Sequence, residues 1–521
     1  MAGRFARGVR VRVRGLVAWF LFWSVLSWGA CGARGRPVWD DDDPARALPE
    51  FVGAVRPGAG SLRWSGPCAG DSTVSVTLEE GSSSPSSSSY LEMEWAFEGA
   101  GGAAGGGCAG DVVVVATMNR ALVRLVGVGH GWRERVAVAG KGEARYLRAE
   151  GVRVFLLPAG LVGTAGALVS FLPLFADAEG SEGANVRFLE RHMGARFDAV
   201  EFDTPSDDAE VADGVESGDI LVISKVRGPW GGFETVEKWV SGSYGGHAAV
   251  ALWAPDGGGL HVVESGKDDD ERPGLQVIGV TPWAEWMARN RGDAEADPHV
   301  ALLKLNVQFD AEAAWQYVQE MKGRSYGYHN MIFAWIDTPN DNFPPPVDAH
   351  VMEATMEIWG RLQPEYMGRL WVEGLNHRLG TQNLSMPEVR AEAARRGLGF
   401  GELLAIPEQD DWEYPYAPYP GSGPSFGCVQ FVVSVLKAGG IFGDLEVQAT
   451  EFTVRDAYQL AVWSDDPGRL PKACQAQGRP YCQLMGRYRM DLPGFNTVRM
   501  YAHMNERCPS LPPDYVRPDG C

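Results

Sequence analysis

The chain is poor in basic residues. Its 47 Lys and Arg stand against 67 Asp and Glu, a formal charge of −20 over 521 residues. Nucleic acids and anionic membrane surfaces are read through basic footprints, so neither is expected as a partner. The spacings that announce a metal are missing too. There is no CxxC or HExxH, and "DTPNDN" (337–342) lacks the glycine of a calcium loop, so no metal or cofactor is expected. Without a P-loop, the usual nucleotide-phosphate device is excluded. No repeat is visible, and beyond residue 33 no stretch approaches about twenty uninterrupted apolar residues, the length of a spanning helix.

What is present begins at the N-terminus. Arg4, Arg7, Arg10, Arg12 and Arg14 precede the apolar run "LVAWFLFWSVLSW" (16–28) and the small residues "GACGA" (29–33). This is the pattern of a signal peptide over 1–33, so a secreted protein or one of an endomembrane or lysosomal lumen is expected; an uncleaved membrane anchor is the alternative. Cysteine usage fits an oxidising compartment. Cys68 and Cys108 share the N-terminal half, and Cys474, Cys482, Cys508 and Cys521 crowd the C-terminus. Cys428 stands alone. The six flanking cysteines are able to form three disulfides, Cys68–Cys108 being the expected one, whereas the four C-terminal cysteines allow three connectivities. Cys428 is left as a free thiol, either reactive or merely buried.

At this length two or three domains are expected. Residues 46–178 carry short β-like runs such as "STVSVTLEE", "YLEMEWAFEG" and "DVVVVATM", separated by a serine tract (81–89) and a glycine tract (99–107). They suggest a β-sandwich-like module that binds a glycan or protein. A second region, 185–450, opens on "SGDILVISKV" (217–226) and continues through four more strand-like runs, "HAAVALW", "LHVVES", "LQVIGV" and "HVALLKLN". A helical insertion is expected over 307–424, with Asp310 capping one helix and Ser385-Met386-Pro387-Glu388 forming a capping box for another. Residues 451–521 read as a disulfide-rich C-terminal extension.

Two stretches carry chemistry. In "SFGCVQFVVSVLKAGG" (425–440), Cys428 opens an apolar helix that stops at Gly439-Gly440. Unpaired N–H groups and the dipole at a helix N-terminus favour a thiolate, the nucleophilic form of cysteine. In "GSYGGHAAVALW" (242–253), His247 heads a strand behind a small-residue approach. If "PDGG" centres the following turn between Pro255 and Asp256, His247 and Glu264 face each other directly, with Cβ atoms about 5 Å apart. A carboxylate there would fix the imidazole tautomer. A one-residue slip would separate them. Glu264 would otherwise be a solvent-facing strand residue, and His261, turned to the other side by strand parity, is the fallback orienter. Tyr244, Gly246, Trp412 and Tyr416 immediately precede the two catalytic candidates and are expected to line a substrate cleft; Trp412 and Tyr416 lie in the aromatic loop "WEYPYAPYP", which otherwise merely fills space against the domain.

"GDIL", a His opening the next strand, a polar residue on the strand after it and a later Cys at a helix start resemble the circularly permuted NlpC/P60 superfamily. Those are papain-like thiol hydrolases related to the lecithin:retinol acyltransferase group. The order His247 before Cys428 is the permuted one. The resemblance covers roughly 215–306 and 424–440, and the long insertion between these segments departs from it. It implies an α+β fold in which an antiparallel sheet packs on the Cys-bearing helix. It also implies Cys428 as nucleophile with its N–H in the oxyanion hole, His247 as base and Glu264 as orienter. The expected reaction is hydrolysis of an amide or peptide bond through a cysteinyl acyl-enzyme. Acyl transfer or ester hydrolysis on an acyl-lipid would use the same triad, and a non-catalytic binding protein on the same fold is the third reading.

Overall fold

The computed structural model describes residues 50–66, 69–79, 89–97, 111–117, 121–126, 131–138, 140–149, 151–157, 171–176, 178–269, 275–330, 333, 356, 367–404, 406–414 and 424–506. The signal-like segment, Cys68, Cys108, Tyr416, Cys508 and Cys521 lie outside them. The fold is α+β with antiparallel sheets, and the described residues divide into two compact units at 172/173, 346/347 and 404/405.

The unit that begins nearer the N-terminus holds two four-stranded sheets. Strands β1 (Glu50–Val55), β2 (Ser61–Gly66), β3 (Gly70–Glu79), β4 (Ser89–Phe97), β5 (Asp111–Ala116), β6 (Ala121–Val126), β7 (Arg133–Val138) and β8 (Val152–Leu157) assemble in the orders β1-β8-β5-β6 and β2-β3-β4-β7. Alternation along β3 and β4 turns Val74, Val76, Leu91, Met93 and Trp95 inward. There they join Val113, Val115 and Val154 of the other sheet in one buried cluster. A helix at Gly140–Ala149, not legible beforehand, touches the helix at Met386–Arg396. That second helix has the expected cap: Ser385 and Glu388 form the box, and Gly397 closes it at φ +80°. The region read as one insertion is therefore divided. Residues 367–404 belong with the sandwich, while the Asp310-capped helix Ala311–Met321 belongs with the other unit.

The other unit is built on one six-stranded antiparallel sheet of β9 (Ile220–Ser224), β10 (His247–Trp253), β11 (Leu260–Asp268), β12 (Gln276–Pro282), β13 (His299–Leu303) and β14 (Cys482–Met485), in the order β12-β11-β10-β9-β13-β14. Both faces are covered, so the central strands are continuous apolar runs rather than alternating ones. Val222, Ala248, Val250, Leu252 and Val263 meet the Cys428–Ala438 helix, in which every residue from Cys428 to Leu436 is buried. Leu221, Ile223, Ala249, Ala251 and Val262 meet Trp283 and Trp286 of the Trp283–Arg291 helix. β14 pairs with β13 as the edge strand, so the C-terminal segment completes this sheet instead of forming a separate extension. Among the described residues one disulfide occurs, Cys474–Cys482. Its short loop of eight residues' separation restricts the unfolded chain by about 2.5 kcal/mol in the chain-entropy account.

Candidate active site

Cys428 is the first residue of its helix, with Gly427 as N-cap, and its thiol is buried and unbridged. The first four N–H groups of a helix have no intrahelical acceptor, so the Cys428 N–H points out of the helix beside its own sulfur. Three contacts fix this turn. The Ser265 hydroxyl and the Gly327 N–H both donate to the Phe426 carbonyl, at 2.6 and 2.9 Å. The Gly427 N–H donates to Asn330 Oδ1 at 2.8 Å. Asn330 Nδ2 donates in turn to Glu408, which is also paired with His329 at 3.1 Å. Only glycine fits at 327, because a Cβ there would lie 2.5 Å from the Phe426 carbonyl carbon.

His247 Nε2 is 2.9 Å from Glu264 Oε2. The two residues share a face as expected, but the register differs from direct opposition. The ladder pairs Val250 with Val263 and Trp253 with Leu260, which places Gly266 level with His247 and Glu264 on the diagonal. The turn centres between Asp256 and Gly257, two residues' worth of pairing away; an even slip preserves the face, which is why the pair still forms. Glu264 is buried and fully engaged: Trp286 Nε1 and Arg289 donate to its Oε1 at 3.0 and 3.3 Å.

Glu264 and the Cys helix lie on opposite faces of the sheet, so His247 has to bridge them. It does so from the first position of β10, where the strand pairs with Ile223 of β9 but no longer with β11, and a bulge in β11 between Ser265 and Lys267 makes room. Gly266 in that bulge has φ +124°, and a Cβ there would be 3.2 Å from His247 Cε1. With Nε2 bound to Glu264, Nδ1 is the nitrogen left to face the thiol.

The electrostatics follow from this placement. Burial works against an imidazolium at His247, but Cys428 and Glu264 outweigh it and raise the ring from 6.5 to about 10. Burial also works against a thiolate at Cys428. The His247 charge and hydrogen bond, the Ala248 N–H and the Tyr326 hydroxyl overcome it and hold the thiol below its ordinary range. Glu264 is held below the usual carboxylate range, its burial being outweighed by His247 and Arg289. Glu237 goes the other way: burial, then the charges of Cys428 and Glu234, push it well above the usual carboxylate range. These shifts favour a thiolate–imidazolium pair beside a carboxylate. Such a pair attacks an acyl carbon through sulfur and returns the imidazolium proton to the leaving group.

The remaining sequence candidates are placed otherwise. Gly246 is buried: its carbonyl lies 4.0 Å from Cys428 Sγ, and a Cβ would strike Glu234 Oε2 at 2.5 Å. A Cβ on Gly245 would meet Val222 at 2.5 Å. The small residues before His247 thus admit Glu234 and Val222 rather than open a cleft. Tyr244 donates to the Met193 carbonyl at 3.2 Å and lines a different cavity, one without Cys428, His247 or Glu264. Trp412 is half-buried in a turn tied through Asp410 to Lys437, in the last turn of the Cys helix. His261 faces Trp315, ring centroids 5.4 Å apart, and does not orient His247. Sequence reasoning does not find Tyr326, Asn330 or Ser265. Tyr326 and Asn330 follow Gly323 in a stretch with no periodicity, where no local signal marks them. Gly266 did carry one, since an isolated glycine inside a strand run indicates a bulge or a close approach.

No protein-family model, no curated protein and no solved structure matches this chain.

Proposed function

We propose that this protein is a thiol hydrolase with a papain-like, permuted NlpC/P60-type site, cleaving an amide or peptide bond through a cysteinyl acyl-enzyme. The observation that carries the reading is the junction of three groups: an unbridged cysteine at a helix N-terminus, a histidine that raises its thiolate population, and a carboxylate 2.9 Å from that histidine. Cys428 is the nucleophile and its N–H, with the Tyr326 hydroxyl nearby, faces the developing oxyanion. His247 is the base and then the acid, and Glu264 holds its ring. The basic-then-apolar N-terminal segment supports a secretory route, and with it a lumenal or extracellular substrate.

The test exposes wild type and Cys428→Ala to a randomised peptide-amide library and reads new carboxyl termini by mass spectrometry. Cleavage by wild type alone is expected. A library left intact while short-chain acyl esters are turned over would move the reaction to ester or acyl-lipid chemistry. Turnover of neither would leave a binding protein on this fold.

A further inference from the structure

A pocket opens where the ends of β9 and β13 meet the residues that follow the Ala178–Met193 helix. Its polar wall is Ser224, Lys238 and His299, its rim carries Arg196, Arg489 and Asp491, and apolar side chains such as Met193, Phe197 and Met490 complete it. Lys238 is buried, and its ammonium donates to Ser224 Oγ and to the Lys225 carbonyl, both at 2.8 Å. An ammonium has three protons, so one remains beyond these two bonds. His299 is 3% exposed and stacks on Tyr488 with ring centroids 5.5 Å apart.

The His299 tautomer follows from its neighbour. Nδ1 is 3.3 Å from the Ser224 carbonyl. A carbonyl only accepts, so Nδ1 carries the proton and Nε2 offers a lone pair. That Nε2 is buried with no hydrogen-bond partner. Burial, and then the charge of Lys238, hold the ring down at about 4, so it stays neutral in neutral solution. A buried acceptor without a donor is rare in folded proteins and calls for an explanation. At the rim the charges do not cancel. Asp491 faces Arg479, Arg489 and Arg196 at 2.8, 3.2 and 4.0 Å, and Arg196 is 73% exposed. Arg489 shares Asp198 at 3.3 Å, which still leaves Arg196 with a distant, thrice-divided partner.

We propose that this pocket binds a small organic carboxylate that also carries an amide N–H. The carboxylate lies toward Arg196 and the Lys238 ammonium, and the N–H donates to His299 Nε2. An N-acylated amino acid and the C-terminal residue of a peptide both present that pair of groups. The site is separate from the thiol centre and does not depend on it, although Ser243 and Tyr244 of its wall lie within four residues of His247.

The probe is N-acetylglycine, titrated calorimetrically into the full chain, with acetate (no N–H) and N-acetylglycinamide (no carboxylate) as controls. Saturable binding is expected, with each control weaker by about tenfold, the loss of one good hydrogen bond or ion pair. Arg196→Ala, an exposed change that spares the core, and His299→Phe should each weaken N-acetylglycine by about tenfold as well. Should His299→Phe fail to fold, Arg196→Ala with the two controls decides. Cys428→Ala should bind like wild type, so a failure of the hydrolase reading leaves this site standing. A pentapeptide acid that outbinds N-acetylglycine assigns the pocket to peptide ends; its exclusion assigns it to free N-acylamino acids. No saturable binding, or equal affinity for acetate and N-acetylglycine unchanged by Arg196→Ala, overturns the proposal.

Discussion

Replacing Glu264 by Gln isolates what the carboxylate does for the imidazole. Burial alone would lower His247; instead it rises from 6.5 to about 10, a net stabilisation of the imidazolium of about 5 kcal/mol at 1.36 kcal/mol per unit. Cys428 contributes before Glu264 does, so the carboxylate supplies only part of that stabilisation. Glutamine keeps its own acceptor oxygen, for which His247 competes with Trp286 and Arg289, all three now bonded to Glu264. A residual loss of about 1.4 kcal/mol is expected, tenfold in the ionised fraction of the thiol–imidazole pair. The assay is the rate of Cys428 alkylation by iodoacetamide between pH 4 and 10. At pH 6 the Gln variant should react about tenfold more slowly than wild type, and the gap should narrow as pH rises toward the ordinary thiol range. His247→Ala should lose more, because the thiolate then relies on the helix N-terminus, the Ala248 N–H and Tyr326. Superimposable wild-type and Gln profiles would refute the assignment of Glu264 as orienter.

Gly266→Ala places a Cβ against the imidazole and strains a backbone at φ +124°, so alkylation should slow at least tenfold and stability fall by about 1–3 kcal/mol. Gly257→Ala, also at positive φ but in open space, should lose stability without slowing the thiol; equal reactivity of the two variants would sink the bulge argument. Asn330→Ala leaves the Gly427 N–H without its acceptor and should lower the urea midpoint by the equivalent of about 1–3 kcal/mol. It should slow alkylation without moving its pH limb, and a moved limb would make Asn330 an electrostatic partner instead. Glu264 sits below the ordinary 4.5 in the folded chain, so its ion-pair stability is present above pH 4.5 and is lost as pH falls through the lower folded value. The stability difference between wild type and Glu264→Gln, read from urea midpoints, should therefore shrink between pH 7 and pH 3.5; a constant difference would contradict the shift. Peptide mapping without reductant should recover Cys474 joined to Cys482 and Cys428 carrying the alkylating label, and a bridged Cys428 ends the thiol mechanism.

Local physics was enough for several features of this protein. An apolar run behind a glycine makes Cys428 a helix start, whatever surrounds it, and Asp310 and Ser385 cap their helices through bonds that span three residues. His247 at the head of β10 and five of the six strands of the central sheet are legible for the same reason, since strand content and turn residues are local. The relation of His247 to Glu264 was legible only up to its parity. A hairpin register is decided by how both faces of the sheet are covered, and the pairing shifted by two residues, so the shared face survived while direct opposition did not. Tertiary structure alone decided the rest. It placed the Glu264 carboxylate and the thiol on opposite faces and joined them through His247 beside Gly266. It recruited Asn330 from a loop and Ser265 from a strand, through contacts 97 and 161 residues away in sequence, and it brought Tyr326 to the thiol. It set Tyr244 in the wall of another pocket and packed Glu234 against Gly246 and Val222 against Gly245. It also left a buried histidine nitrogen without a partner beside an ammonium, a pairing that no short-range pattern encodes, because His299 and Lys238 meet only when the sheet and the helix before β10 have closed on one another.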